Sequence, residues 1–325
     1  MTVEPLIWDN VWPVDLPGEL ELGNTWESLD RFRHAGFHVQ SITLAGDNHN
    51  SAQALKLVAW ARREIRMRAD RLLLVEAVED IARARQSGRL AVLLHFEGTR
   101  CFERNPDLVE AFFRLGVRHT IVAFNMANSA GGGCADPEDR GLTAYGRKLI
   151  REMERVGMVV DLSHTGRRTS LDVIEMAEKP VLFTHSNVDT LRPAFRNLTD
   201  EQIRGCARTG GVIGVSGSSE YLGDPACDTA TLFRHLDHMV QIVGARHVGL
   251  GLDCVFKTEW LNDWARGRPE EWPMTADPAW PGFTYVKPEQ LGELRETMAR
   301  SGYSEANVAA ILGGNLLRIY SEAWA

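Results

Sequence analysis

Residues 158–186 read MVVDLSHTGRRTSLDVIEMAEKPVLFTHS. A run rich in β-branched and apolar residues ends on His164. A helix-forming stretch follows and stops before Pro180, and a second such run carries His185 near its end. Runs that are nearly continuously apolar suit strands covered on both faces of a parallel sheet, because neither face meets water. A strand, a helix and another strand within roughly thirty residues make one βαβ unit.

The unit repeats outward in both directions. Further apolar runs lie at 6–11, 38–46, 90–98, 119–125, 211–217 and 247–253, which with the first two makes eight. Helical patterns fill most gaps. One opens at Thr25, and another at Thr199 with Gln202 placed for a capping box. A third precedes the eighth run, and the last opens at Ser304. Eight strand–helix units in alternation predict an α/β fold, a (β/α)8 TIM barrel, as a single domain over residues 1–325. An open doubly wound sheet is the competing arrangement, but no glycine-rich phosphate loop follows the first run. The segment from about 255 to 288 is irregular and contains WLNDWARGRPEEWPMTADPAWPGF (260–283). It follows the eighth strand, where an active-site loop belongs. It therefore reads as an insertion that covers the site or packs on a second subunit.

Composition narrows the partners. The chain is 44% hydrophobic and 25% charged, with 36 Lys and Arg against 44 Asp and Glu, a net charge of −8. An acidic chain without a basic block argues against nucleic acid or an anionic membrane surface as partner. The start, MTVEPLIWDNVWPVD, has neither a basic lead nor a long apolar run, so no signal peptide or membrane span is expected there. The five cysteines are scattered, odd in number and without CxxC spacing, which suits reduced thiols in a cytoplasmic protein.

In a barrel, catalytic groups come from the carboxyl ends of the strands. Those positions hold Glu97, Asn125, His164, His185 and Asp253. One histidine after a strand is usually only a polar strand end. Two at matched places on consecutive strands, with Glu and Asp on the same rim, point to a metal. Two neutral imidazoles and a carboxylate suit Zn²⁺ and leave a position open for water. The metal lowers the pKa of that water to about 7, and Asp253 is placed to carry its proton. Asp161 is either a partner behind a metal ligand or a structural hydrogen-bonding group. His49 stands on the same rim, and His95 lies two residues before Glu97 in a core position.

HFEG (95–98), VVDLSH (159–164), FTHS (183–186), RNLTDEQI (196–203) and NVAAILGGNLLRIY (307–320) stand in the order and spacing of a known family. The chain resembles the membrane (renal) dipeptidases, peptidase family M19, metallopeptidases on a barrel of the amidohydrolase type. The resemblance runs from the first strand to the final helix. It implies a two-zinc site in which Glu97 bridges both metals and His164 and His185 hold one. It also implies that Asp253 is the acid at the end of strand eight, that Arg196 binds the substrate carboxylate and that Tyr221 lines the pocket. A guanidinium suits the Arg196 role, since it meets a carboxylate bidentately.

The chain departs from the family twice. The family's His-x-Asp pair on strand one falls in WDNVWPVDLP (8–17). Aligned on Asp9 the pair becomes Val11 and Pro13; aligned on DLP it becomes Pro13 and Asp15. A family histidine at the end of strand four is Phe124 here, with Asn125 beside it as a substitute on the substrate. The expectation is thus a Zn²⁺-dependent hydrolase with one ion rather than two, held by Glu97, His164 and His185. Asp253 carries the proton, and Arg196, Asn125 and Tyr221 face the substrate. That substrate is a small carboxylate-bearing amide, a dipeptide or N-acyl amino acid, and by analogy the protein is a homodimer. The alternative is a barrel that has lost hydrolysis and binds a small molecule, which the apolar Val11 and Phe124 favour. A further alternative has His49 or His95 rebuilding the second metal site.

Overall fold

The computed structural model describes residues 4–324; the ends of the expected 1–325 unit, residues 1–3 and 325, lie outside the described residues. Among the described residues nine strands form: β1 Trp8–Asp9, β2 Val39–Gly46, β3 Leu72–Leu74, β4 Leu90–Glu97, β5 Val117–Ile121, β6 Val159–Asp161, β7 Leu182–Ser186, β8 Val212–Val215 and β9 Val248–Leu250. All pair in parallel, in the order β1-β2-β4-β5-β6-β7-β8-β9, and β3 adds only to the edge of β4. A backbone hydrogen bond from Asn10 to the Leu250 carbonyl (3.1 Å) ties β9 to β1. The result is a nearly closed (β/α)8 barrel, as the strand–helix alternation predicts. β3 escapes a sequence reading because three leucines between helical segments carry no period.

The strands are shorter than the apolar runs that encode them, since the runs continue past the sheet. Asn125, His164 and Asp253 lie just beyond β5, β6 and β9, with φ of 54°, 61° and 53°. The left-handed region is costly for non-glycine residues and clusters at functional sites. Here it turns the chain off each strand at the rim.

The amino end of the barrel is sealed by the C-terminal helix Asn315–Ala323. Its Leu316, Ile319 and Tyr320 pack with Trp8, Val39, Leu93, Val159, Leu182 and Val212 at or near the strand starts. Trp8 and Tyr320 stack at 5.0 Å. The helix expected from Ser304 onward is broken: Glu305–Ala309, a wide turn over Ala310–Gly314, then Asn315–Ala323. At Gly313 a Cβ would fall 2.7 Å from the Leu6 carbonyl oxygen, so the turn lets this backbone close on the chain entering β1. The capping box at Thr199 and Gln202 and the cap at Ser304 form as expected. The five cysteines are free thiols. Among the described residues, no helix is long and apolar enough to cross a membrane.

The Trp- and Pro-rich segment contributes the helix Glu259–Arg266 and a turn at Pro273–Ala276. An antiparallel bridge between Ser218 and Tyr285 joins its end to the chain beyond β8.

Asp9 lies wholly buried in β1, accepting from the Leu252 N–H (2.7 Å) and from Gln40 Nε2 (3.0 Å). Burial outweighs these bonds and raises its pKa from 3.8 to about 7. The fold therefore favours the protonated form. That contribution is fully present below pH 3.8 and is lost as pH rises toward 7. Gln40 Oε1 has no partner, so a rotated Gln40 amide can accept from an asparagine at this position. Asp9→Asn is expected to raise Tm above pH 8, by about 2 kcal/mol of stability, with no gain near pH 4. Thermal melts of both proteins across that range check this, and a pH-independent difference would contradict it.

Candidate active site

The ends of β6 and β7 bring His164 and His185 into contact, with their Nε2 atoms 2.9 Å apart and their rings inclined at 58°. The far nitrogen of each ring decides where its proton sits. His164 Nδ1 lies 2.7 Å from Asn125 Oδ1, and Asn125 Nδ2 donates to the Glu271 carbonyl at 3.0 Å. A carbonyl only accepts, so the amide orientation is set and Asn125 Oδ1 must receive the proton of His164 Nδ1. His185 Nδ1 lies 2.8 Å from Thr184 Oγ1, whose hydroxyl donates to Asp161 Oδ2 at 2.5 Å. Asp161 Oδ1 also accepts from the N–H groups of Ser163 and Thr184. Burial raises the pKa of Asp161, but these three donors hold its oxygens as acceptors; Thr184 then has no proton left for His185, so His185 Nδ1 donates. Both Nε2 atoms then carry lone pairs, 2.9 Å apart.

Both imidazoles are buried, and burial, with the Arg196 charge nearby, pushes their pKa values far below the usual histidine range. They are neutral, as metal ligands must be. Glu97 and Asp253 sit at the floor of the same cleft. Burial raises the pKa of Glu97, and repulsion from Asp253 and Asp161 adds to it; burial likewise raises Asp253. Glu97 Oε1 accepts from Thr43 Oγ1 at 3.3 Å. Among the described residues, no three His, Cys, Asp or Glu side chains stand at the spacing of a closed metal cage. The structure thus joins His164 to His185 and sets Glu97 in the wall of the cleft that His164 also lines. The donor chemistry nevertheless fits a divalent cation, which would accept both lone pairs and relieve the crowded acids.

Arg196 is buried behind this pair. Its Nη2 donates to the His185 carbonyl at 2.9 Å, its Nη1 lies 3.4 Å from Ser186 Oγ, and its Nε has no partner. Its guanidinium lies 5.3 Å over the Tyr221 ring, whose buried hydroxyl is also without a partner. Arg196 and His164 share the wall of a small cavity of about 210 Å³. Asn125, expected on the substrate, is instead fully buried with its amide engaged by His164 and Glu271, so it orients the imidazole. Phe124 stacks on the His164 ring at 4.1 Å.

The departures on strand one are visible. Pro13 pairs with Thr43 in the cleft wall, where it offers no donor. Asp15 accepts from the Leu22 N–H at 2.7 Å, and Val11 is buried. His49 Nδ1 accepts from the Gly46 N–H (3.0 Å) and its Nε2 meets Glu19 Oε2 (2.7 Å), so neither nitrogen is free for a metal. His95 Nε2 meets Thr43 Oγ1 at 3.0 Å, and its ring stacks on His119.

The main cleft measures about 940 Å³ and lies over Glu97, His164 and Asp253. Two further groups of residues line it, and the sequence alone marks only the second. Asp47 accepts from the Phe124 N–H (3.0 Å), the Arg100 N–H (3.0 Å) and Asn128 Nδ2 (2.8 Å), so one carboxylate ties three rim loops. Gly98, at φ 144°, leaves it room, because a side chain there would collide with it. The other group is Trp260, Trp264, Trp272 and Tyr285 from the insertion. Its position after the last strand marks it in the sequence as a segment over the site, and the structure shows which of its side chains line the cleft.

A family model described as membrane dipeptidase, peptidase family M19, matches residues 19–262. The match begins after the strand-one stretch where the His-x-Asp pair is missing. A Klebsiella pneumoniae protein, described as an uncharacterized protein in the pqqA 5′ region, is 32% identical over 273 residues, 79% of this chain and 90% of its own. An uncharacterized dipeptidase of Schizosaccharomyces pombe is 35% identical over 190 residues, 56% of this chain; the match spans 46% of that protein, about half its length. The crystal structure of an amidohydrolase from Pseudomonas aeruginosa superposes with a TM-score of 0.86 at 25% identity, over 98% of this chain and 97% of that one.

The proton accounting has a direct readout. In metal-free protein with labelled histidines, nitrogen NMR is expected to show His164 and His185 neutral, with the proton on Nδ1. Asn125→Leu removes the acceptor and should release His164 to the Nε2–H tautomer. An Nε2–H tautomer for His164 in the parent protein would refute the assignment.

Proposed function

The chain belongs to the membrane dipeptidase family, peptidase family M19, a family of metal-dependent hydrolases, and from that premise we propose that its site hydrolyses an amide bond in a small carboxylate-bearing molecule. The observation that carries the reading is the pair of unprotonated Nε2 atoms 2.9 Å apart at the rim. His164 and His185 would hold Zn²⁺, with Glu97 as the carboxylate ligand. Bound there, Zn²⁺ supplies a water of pKa about 7 and polarises the scissile carbonyl.

The chain's own groups do the rest. Asn125 and the Thr184–Asp161 pair hold the imidazoles in the tautomer that leaves Nε2 free; such outer partners typically change metal affinity about 10- to 100-fold. Asp253 accepts the proton of the attacking water and returns it to the leaving nitrogen, and its raised pKa brings it closer to working pH. The Arg196 guanidinium takes the substrate carboxylate, with Tyr221 beneath it. One ion fits better than two, because Pro13 has no donor, Asp15 accepts from the Leu22 N–H, both His49 nitrogens are bonded and His95 Nε2 is bonded to Thr43 Oγ1. The substrate class is a dipeptide or N-acyl amino acid, and the free thiols suit a cytoplasmic setting. A second reading, a barrel that binds without cleaving, is favoured by one observation: Phe124 lies flat on His164 where the family carries a histidine.

Metal analysis and turnover separate the two. The expected result is one equivalent of zinc, and loss of more than about a hundredfold in kcat/KM for His185→Ala across a panel of dipeptides and N-acyl amino acids. No metal after growth with added zinc would sink the hydrolase reading and leave the binding one. Equal activity of parent and His185→Ala would refute the assigned ligands.

A further inference from the structure

His164 divides two spaces of opposite character. On one side is the small polar cavity of about 210 Å³ that it shares with Arg196. On the other is the 940 Å³ cleft, near the top of the roughly 300–1,000 Å³ range of small-molecule sites. A continuous aromatic ladder climbs one wall of that cleft. Phe124 stacks on His164 at 4.1 Å, Trp272 meets Phe124 edge-on at 6.0 Å, and Trp264 meets Trp272 edge-on at 5.7 Å. Trp260 then lies nearly parallel to Trp264 at 6.1 Å. Phe124, Trp264 and Trp260 are only half-buried, so aromatic surface is left facing a concave space. Apolar surface exposed in a cleft marks a ligand site. A group seated between the ladder and the floor would gain stacking as well as burial.

Charged groups line the cleft too: Arg100, Arg104 and Arg268, with Arg268 lying 4.6 Å over the Trp264 ring, and several carboxylates that are already engaged. Asp47 is engaged by three donors, Glu19 by His49, and Glu103 by the N–H and hydroxyl of Ser51. Glu271 lines the cleft as well, and burial moves its carboxyl toward the neutral form.

We infer that the acyl half of the substrate carries a flat aromatic group that packs on the Trp264–Trp272 ladder, while the carboxylate half points to Arg196. The inference rests on the hydrolase reading above and narrows its substrate class. The reaction is that of any amide: the water oxygen bonds to the acyl carbon, the C–N bond breaks and the water proton ends on the nitrogen, giving an aryl-bearing acid and a free amino acid. The aromatic acyl half can come from an N-arylacyl amino acid or from a dipeptide with an aromatic first residue.

The test uses zinc-loaded full-length protein and two matched pairs: N-phenylacetyl-alanine against N-acetyl-alanine, and Phe-Ala against Ala-Ala. In at least one pair kcat/KM is expected to favour the aromatic member by about 10-fold or more, and the pair that shows it identifies the source. In Trp264→Ala the preference should fall toward unity, and in Trp264→Phe it should persist. Calorimetry of N-phenylacetyl-alanine and N-acetyl-alanine with zinc-free protein gives a readout independent of turnover. A tenfold binding preference without hydrolysis would sink the hydrolase reading and uphold the aromatic site. Equal kcat/KM within both pairs and equal affinity would overturn the inference, as would a preference untouched by Trp264→Ala.

Discussion

Two hydrogen-bond chains converge on one gap. Asn125 takes the Nδ1 proton of His164, and Asp161, acting through Thr184, settles that of His185. Two lone pairs are left 2.9 Å apart in a buried place. An uncompensated arrangement of this kind is costly in a low-dielectric interior, and the cation proposed above would offset it. Much of the rim serves this geometry. The left-handed turns at Asn125 and His164 aim the two side chains at each other, and Asp47 pins the loop that carries Phe124 and Asn125.

The barrel supplies the rigidity that this gap requires. Its amino end is closed by the final helix, with Tyr320 stacked on Trp8 and hydrogen-bonded to His119. Its carboxyl end is left for chemistry. Stability and function are thereby segregated to opposite ends, as is general for this fold. The two ends meet in a polar interior layer, where Asp9, His95 and Asp161 are all held away from their ordinary protonation behaviour by burial.

What was legible in the sequence follows from period and position. Nearly continuous apolar runs separated by helical stretches mark the eight barrel strands, because a doubly covered strand has no wet face. Strand-end placement singles out His164, His185, Glu97 and Asp253 for the same reason: only the rim is open. The contacts of Asn125 are not legible in the sequence. From sequence it is a polar residue beside a lost histidine, and only its φ of 54° and the fixed Glu271 carbonyl turn its amide onto His164. The break in the last helix was also hidden, because nothing local to AILGG reports the Leu6 carbonyl that packs against Gly313.

By itself the sequence determined the barrel, the rim histidines and the absence of a histidine from strand one, since each is a matter of residue type at a spacing. The tertiary structure alone decided which nitrogens are free and that four aromatic rings line up from His164 along the cleft wall. Those depend on contacts between Thr184 and Asp161, Asn125 and Glu271, and Phe124 and Trp272. The partners lie between 23 and 148 residues apart, and no local pattern encodes a proton's position or a ring's tilt across such distances.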